Sequence, residues 1–175
     1  MMDWLTSWYI LPAAFALDII LGDPRYLPHP VRWMGKAIEK LEPPFRKFGF
    51  NLSLSGALYA AVLILGTWLL TFLVLAAAHR LHPLFKTLLD IILIYYCMSI
   101  RSLNDAALEV IQCLPQKKVQ TAREKVALIV GRDIDTYTAS GLARATVETV
   151  AENLVDGVIA PLFFAAIGGA PLALA

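Results

Sequence analysis

Charge is scarce in this 175-residue chain: Asp, Glu, Lys and Arg make up 17% of it, and the formal net charge is +1. A disordered chain combines low hydrophobicity with high net charge, so disorder is excluded. A nucleic-acid binder concentrates basic residues on one face, and the near-neutral balance argues against such a partner. Cysteine is scarce too. Cys97 and Cys113 form no CxxC pair, and with His29, His79 and His82 they offer no zinc spacing. Cys97 lies in an apolar run and Cys113 on an amphipathic stretch, so both read as small hydrophobes rather than as a disulfide or a structural metal site. No G-x-x-x-x-G-K-[ST], G-x-G-x-x-G or G-x-S-x-G occurs, which removes the P-loop, the Rossmann phosphate cradle and the nucleophile elbow.

Apolar residues are what the chain has in excess. They account for 58% of it, with a mean hydropathy of +0.64, more than a water-soluble globule of this size can bury. The fold class expected is all-α: a polytopic helical membrane protein with amphipathic cytoplasmic helices, in a single membrane domain covering 1–175. The strongest span is 54–78, inside a stretch from Phe48 to Ala78 that carries no charge and exceeds the roughly 20 residues needed to cross the hydrocarbon core. A second, 84–100, contains Lys86 and Asp90; it crosses if Lys86 reaches back to the interface and Asp90 faces protein. The short connection between them makes a helical hairpin. The run 4–21 opens on the interfacial aromatics Trp4, Trp8 and Tyr9 and lacks the basic start of a signal peptide. A further span begins at 158–175, where Pro161, Gly168, Gly169 and Pro171 interrupt an apolar run.

The basic residues orient the spans. Six lie between the first and second spans and seven between the third and fourth, against two, Arg80 and Lys86, at the hairpin tip. By the positive-inside rule, 22–51 and 101–157 are cytoplasmic and the N-terminus is outside.

The first cytoplasmic segment opens Gly22-Asp23-Pro24-Arg25-Tyr26-Leu27-Pro28-His29-Pro30-Val31-Arg32. Its prolines favour a rigid extended loop that holds Asp23, Arg25, His29 and Arg32 at the membrane surface, either for function or simply facing headgroups. The second reads as three amphipathic helices: one from Leu103 to Leu114, one from Val119 to Ile129, and one capped by Asp135 or Thr136 and running to about Asp156. On the third, Arg144, Glu148, Glu152 and Asp156 recur every four residues and share a ridge. Val147, Val150, Ala151, Leu154 and Val158 cover much of the rest. Arg144–Glu148 is a stabilising pair. The three acids in sequence repel one another, and Glu152 and Asp156 sit at the unfavourable end of the helix dipole. A bound Mg²⁺ would relieve both penalties; a solvated acidic face is the alternative. Asn153 adjoins the ridge, and Gly131-Arg132-Asp133 places an arginine fit to grip phosphate in a turn. Asp18 and Asp90 are ionisable groups inside spans; Asp18, near the Gly22–Arg32 loop, reads as functional and Asp90 as structural.

Asp18 with Gly22-Asp23-Pro24, Pro28-His29-Pro30-Val31, Gly35, Ser102-Leu103, Ala122-Arg123 and Val130-Gly131-Arg132-Asp133 occur in this order. Arg144-Ala145-Thr146-Val147-Glu148, Ala151-Glu152-Asn153, Asp156-Gly157, Ala160-Pro161-Leu162-Phe163-Phe164 and Gly168-Gly169-Ala170-Pro171 follow. Together they resemble the adenosylcobinamide-phosphate synthase family of cobalamin biosynthesis over nearly the whole chain. The resemblance implies a multi-span enzyme of a bacterial or archaeal inner membrane, its active face cytoplasmic. Such an enzyme ligates adenosylcobyric acid to an aminopropanol, or its phosphate, through an amide. ATP and Mg²⁺ are the implied cofactors.

On that reading Glu148, Glu152 and Asp156 hold the metal, and Asp23, His29, Arg132 and Arg144 are catalytic. Asp18, Arg32, Asp133 and Asn153 bind substrate or cofactor. The partners expected are a corrinoid, an amino-alcohol and membrane lipid, with no nucleic acid; a homo-oligomer or association with other corrinoid-pathway membrane enzymes accords with this. Family members are longer and continue with an Asn-Thr-Leu-Asp-Ser-Met stretch, so the chain is expected to be truncated and, if later motifs complete the site, inactive alone. Two rivals stand beside the ligase: a non-catalytic AmpE-like sensor or accessory protein, and a corrinoid transporter component.

Overall fold

A computed structural model describes residues 8–23, 29–47, 51–114, 118–131 and 133–175. Arg132, the start of the first expected span and residues 24–28 of the proline-rich loop lie outside them. Every regular element among the described residues is helical.

Helix α1 (Ile10–Leu21) is apolar and ends at Gly22. Helix α2 (Pro30–Lys47) replaces the last three residues of the expected loop, because Pro30 takes the first helical position, where its missing N–H costs nothing. Arg32 is therefore helical. Helix α3 (Leu52–Leu81) is capped by the Asn51 side chain, which accepts from the Ser53 N–H at 3.0 Å. His82 then ends α3 and caps α4 (Pro83–Tyr95), its Nδ1 accepting from the Leu84 N–H at 3.1 Å. The expected hairpin is present.

The expected span 84–100 is not one helix. Helix α4 stops at Tyr95, and α5 (Ile100–Cys113) starts after a four-residue break. Thirteen helical residues cover about 20 Å, short of the roughly 30 Å hydrocarbon core; only the broken run Pro83–Cys113 reaches spanning length. The break persists because its polar backbone groups find protein partners, the condition for irregular backbone at membrane depth. Asp90 is buried and pairs with Lys86 at 2.7 Å, so Lys86 neutralises its neighbour instead of extending to the interface.

Helix α6 (Val119–Ala127) precedes α7 (Ala139–Leu154). The cap of α7 is Thr138, whose hydroxyl accepts from the Gly141 N–H at 3.3 Å, not Asp135 or Thr136. The expected stop near Asp156 is absent: α7 continues through a π-helical turn, Val155–Ile159, into α8 (Ala160–Leu174). The acidic ridge and the last apolar segment form one rod, kinked at Gly168 and Gly169. Gly169 has φ 67°, a left-handed conformation open to glycine.

Two cores result. Ile10, Ala14, Leu75, Ile94, Tyr95, Met98, Ala165 and Ala170 join α1, α3, α4 and α8. Val110, Ala122, Val126, Ile134, Leu142 and Ala145 join α5, α6 and α7. The first belongs to the apolar helices, the second to the amphipathic ones. Among the described residues three helical runs, Leu52–Leu81, Pro83–Cys113 and Ala139–Leu174, are long and apolar enough to cross a membrane.

Candidate functional site

The end of α1 meets the start of α5. Asp18, 1% exposed, turns its Oδ2 to the first N–H groups of α5, accepting from Ile100 at 2.7 Å and from Arg101 at 3.4 Å. Those N–H groups have no partner within their own helix, so a carboxylate at the positive end of the dipole stabilises the helix start. In return, Arg101 Nη1 donates to the last carbonyls of α1, Ile19 at 3.3 Å and Ile20. The Tyr95 hydroxyl donates to the Gly22 carbonyl. Burial and capping give Asp18 a structural task at this junction, while its other carboxylate oxygen, Oδ1, is buried with no hydrogen-bond partner among the described residues.

The junction fixes the following residues. Asp23 Oδ1 lies 3.2 Å from His29 Nε2 and 3.9 Å from the Arg32 guanidinium. The His29 ring stands edge-on to Tyr96 with centroids 4.8 Å apart, and its Nδ1 is buried without a hydrogen-bond partner among the described residues. Three sequence-predicted residues are thus brought together, with a half-exposed carboxylate at their centre. Tyr95, Tyr96 and Arg101 were missed by sequence reasoning, although an aromatic pair and an arginine at the edge of a span are signals of a boundary.

Along α7 the expectation holds in part. Arg144 Nε donates to Glu148 Oε1 at 2.8 Å, as the spacing predicts, and the Arg144 side chain is 83% exposed. The buried face is Leu142, Ala145, Thr146 and Thr149; Val147 and Leu154, expected to cover the helix, are exposed. A pocket of about 360 Å³ opens between α7 and the segment after α6, lined by Ile129, Val130, Gly131, Thr149, Glu152 and Asn153. The Asn153 amide donates to the Thr149 carbonyl at 3.0 Å, which fixes it on the pocket side. Thr149 follows from helical spacing, lying three and four residues before Glu152 and Asn153.

The metal site expected at Glu148, Glu152 and Asp156 is not assembled: among the described residues no three His, Cys, Asp or Glu side chains converge to hold an ion. Glu148 is engaged by Arg144, Asp156 sits exposed in the π turn, and only Glu152 lines the pocket. Likewise Asp133 accepts from the Asp135 N–H at 2.9 Å and shapes its own turn. Neither Arg144 nor Asp133 is among the residues lining the pocket. Arg132 lies outside the described residues.

The π turn ties pocket to junction. Both the backbone N–H of Ser99, at 3.0 Å, and its hydroxyl, at 3.4 Å, donate to the Gly157 carbonyl. A π turn shifts the helical hydrogen-bond pattern and frequently marks functional sites. Here it docks the α4–α5 break one turn beyond Asn153.

Fold and site together define a polytopic, all-helical membrane protein with a polar pocket between α7 and the segment after α6. The family model described as CobD/Cbib protein matches residues 11–175, and the chain belongs to that family. It is 44% identical over 174 residues to the cobalamin biosynthesis protein CobD of Photorhabdus laumondii, covering 98% of this chain and 54% of the relative. It is 41% identical over 174 residues to CbiB of Salmonella typhimurium, covering 98% and 54%. It is 41% identical over 160 residues to CobD of Clostridium perfringens, covering 91% and 51%. The chain spans about half the length of these curated relatives. No solved structure matches it.

Proposed function

We propose that the chain serves cobalamin biosynthesis as part of an adenosylcobinamide-phosphate synthase, which joins a corrin propionate to an aminopropanol or its phosphate. A carboxylate does not acylate an amine near neutral pH until one of its oxygens becomes a leaving group. Phosphoryl transfer from ATP supplies this: the propionate oxygen attacks the γ-phosphorus, ADP leaves, the amine attacks the acyl carbon, and phosphate departs with the oxygen. The chemistry calls for positive charge and hydrogen-bond donors around phosphate.

The observation that carries the reading is the meeting of Gly131 with Glu152 and Asn153, from motifs the family resemblance singled out, at one polar pocket that Thr149 also lines. Asn153 and the Gly131 turn would bind phosphate oxygens. Mg²⁺ usually takes one or two carboxylates with phosphates and waters, so Glu152 would suffice to hold a nucleotide-bound ion. The Asp23–His29–Arg32 cluster would orient the propionate or accept the proton of the amine. The site faces the cytoplasm of an inner-membrane protein whose N-terminus is outside. In support, Tyr95 at the end of α4 bonds Gly22 at the end of α1, so 22–51 and 101–157 leave the bundle at one end.

The test is complementation of a corrinoid-ligation defect by this chain beside the full-length Salmonella CbiB, with amide product and ATP consumption measured in membranes. Product that depends on ATP and is lost in Glu152→Gln supports the reading. Corrinoid flux without amide formation would indicate a transporter, and corrinoid-independent behaviour a sensor.

A further inference from the structure

Beyond Arg32 in its first turn, the helix between the first two membrane elements has no use in the chemistry above, yet it is the most cleanly two-faced among the described helices. On α2, Val31, Met34, Ala37, Ile38, Leu41 and Phe45 recur at threes and fours and form one apolar stripe. Trp33 lies at its edge. None of the 18 residues of α2 is buried, and Val31, Ile38 and Trp33 are 45%, 44% and 61% exposed. The opposite face carries Arg32, Lys36, Lys40, Arg46 and Lys47 against Glu39 and Glu42.

Where α2 sits is set by two hydrogen bonds to α3. The Tyr59 hydroxyl donates to the Ile38 carbonyl at 2.8 Å, and the Ser55 hydroxyl donates to the Phe45 carbonyl. Tyr59 also stacks on Phe45 with centroids 5.4 Å apart. Both α3 residues belong to its first turns. Helix α3 has 30 residues, about 45 Å of length against a hydrocarbon core of about 30 Å, so one or both of its ends stand in the headgroup region. The uncharged stretch ends at Ala78 but begins before Ser53 and Ser55, and these hydroxyls suit the polar boundary. A helix fastened there meets the bilayer boundary.

We propose that α2 is an in-plane interfacial helix whose apolar stripe inserts into the acyl boundary of an anionic membrane leaflet while its basic face meets the headgroups. The occupant of the exposed stripe is lipid. Charge complementarity argues for this occupant, because five cations against two acids match an anionic leaflet, to which basic amphipathic helices bind. The Trp33 ring at the stripe edge has the amphipathic character enriched at membrane interfaces. The inference rests on the spans and not on the ligase reading.

The test is spin-label accessibility on the whole chain, with Cys97 and Cys113 replaced by Ala and single cysteines at Val31, Ile38, Lys36 or Glu39. The protein is reconstituted in nanodiscs of phosphatidylcholine alone or mixed with phosphatidylglycerol. Labels at 31 and 38 are expected to collide with oxygen more than with an aqueous nickel chelate, at a depth of about 5–10 Å, and those at 36 and 39 the reverse. Adding phosphatidylglycerol should deepen 31 and 38, and the double substitution Lys36→Glu, Lys40→Glu should abolish that deepening. Equal access of the nickel reagent to all four positions overturns the proposal. So does shielding of 31 and 38 from both reagents, the signature of a protein partner or second copy. A depth indifferent to phosphatidylglycerol overturns the choice of an anionic leaflet.

Discussion

Asp18 and Arg101 each cap the helix that carries the other: the carboxylate closes the start of α5, and the guanidinium closes the end of α1. Loss of an N-cap costs about 0.5–2 kcal/mol. Asp18→Ala and Arg101→Ala are each expected to destabilise the folded state by about 1 kcal/mol in that range, with the double variant less destabilised than the sum because both act on one junction. Equilibrium unfolding of the detergent-solubilised chain measures it. Gly22 lies at the same place with φ 64°, and a Cβ there would come within 2.9 Å of Arg101 Cδ. Gly22→Ala therefore costs about 1–3 kcal/mol for the positive-φ backbone alone, which Arg101→Ala does not restore.

Gly157 faces Ser99 so closely that a Cβ would meet its hydroxyl oxygen. Gly157→Ala is expected to destabilise by about 1–3 kcal/mol through overpacking. Adding Ser99→Ala should recover most of that, since the Ser99 N–H still reaches the Gly157 carbonyl at 3.0 Å. A double-mutant cycle of unfolding free energies shows the coupling; strict additivity would mean the two do not press on each other.

Lys86 and Asp90 form a pair inside an apolar helix, with side chains 26% and 6% exposed. Removing one partner strands a charge, at about 3–5 kcal/mol, whereas replacing both with apolar residues is often neutral. Lys86→Met is expected to be strongly destabilising and Lys86→Met with Asp90→Leu close to the parent, by thermal inactivation in bilayer nanodiscs.

Among the candidate site residues, Glu152 lines the pocket and His29 faces Asp23. Glu152→Gln is expected to lower amide formation at least about tenfold, or about 1.4 kcal/mol of transition-state stabilisation. His29→Ala is expected to lower it by about 10²-fold, the scale of one proton-transfer group. Single-turnover assays of the full-length protein, alongside unfolding controls, separate these losses from misfolding.

Much was legible in the sequence. The uncharged stretch ending at Ala78 and the spacing around Val110 and Val126 identify α3 and two helices of the amphipathic core, because burial in lipid and burial in protein each impose a composition or a period. The Arg144–Glu148 pair followed from helical geometry alone. The breaks did not. Residues 96–99 read as the end of an apolar run, and nothing local to Asp156 announces a π turn. Both owe their form to each other, through Ser99 and Gly157. The acidic ridge misled for a related reason: spacing places three carboxylates on one ridge but cannot say which of them a neighbouring segment will cover.

What the residues determined by themselves was the class: a membrane protein of helices, its amphipathic layer and its family, since these depend on local hydrophobicity and order along the chain. Which polar groups are available for chemistry was decided only by packing. Asp18 is withdrawn into a cap, Glu148 is held by its neighbour, and Glu152 and Asn153 are turned towards Gly131. A polar group's role depends on the partner that reaches it, and that partner can lie 82 residues away, as Ile100 does from Asp18.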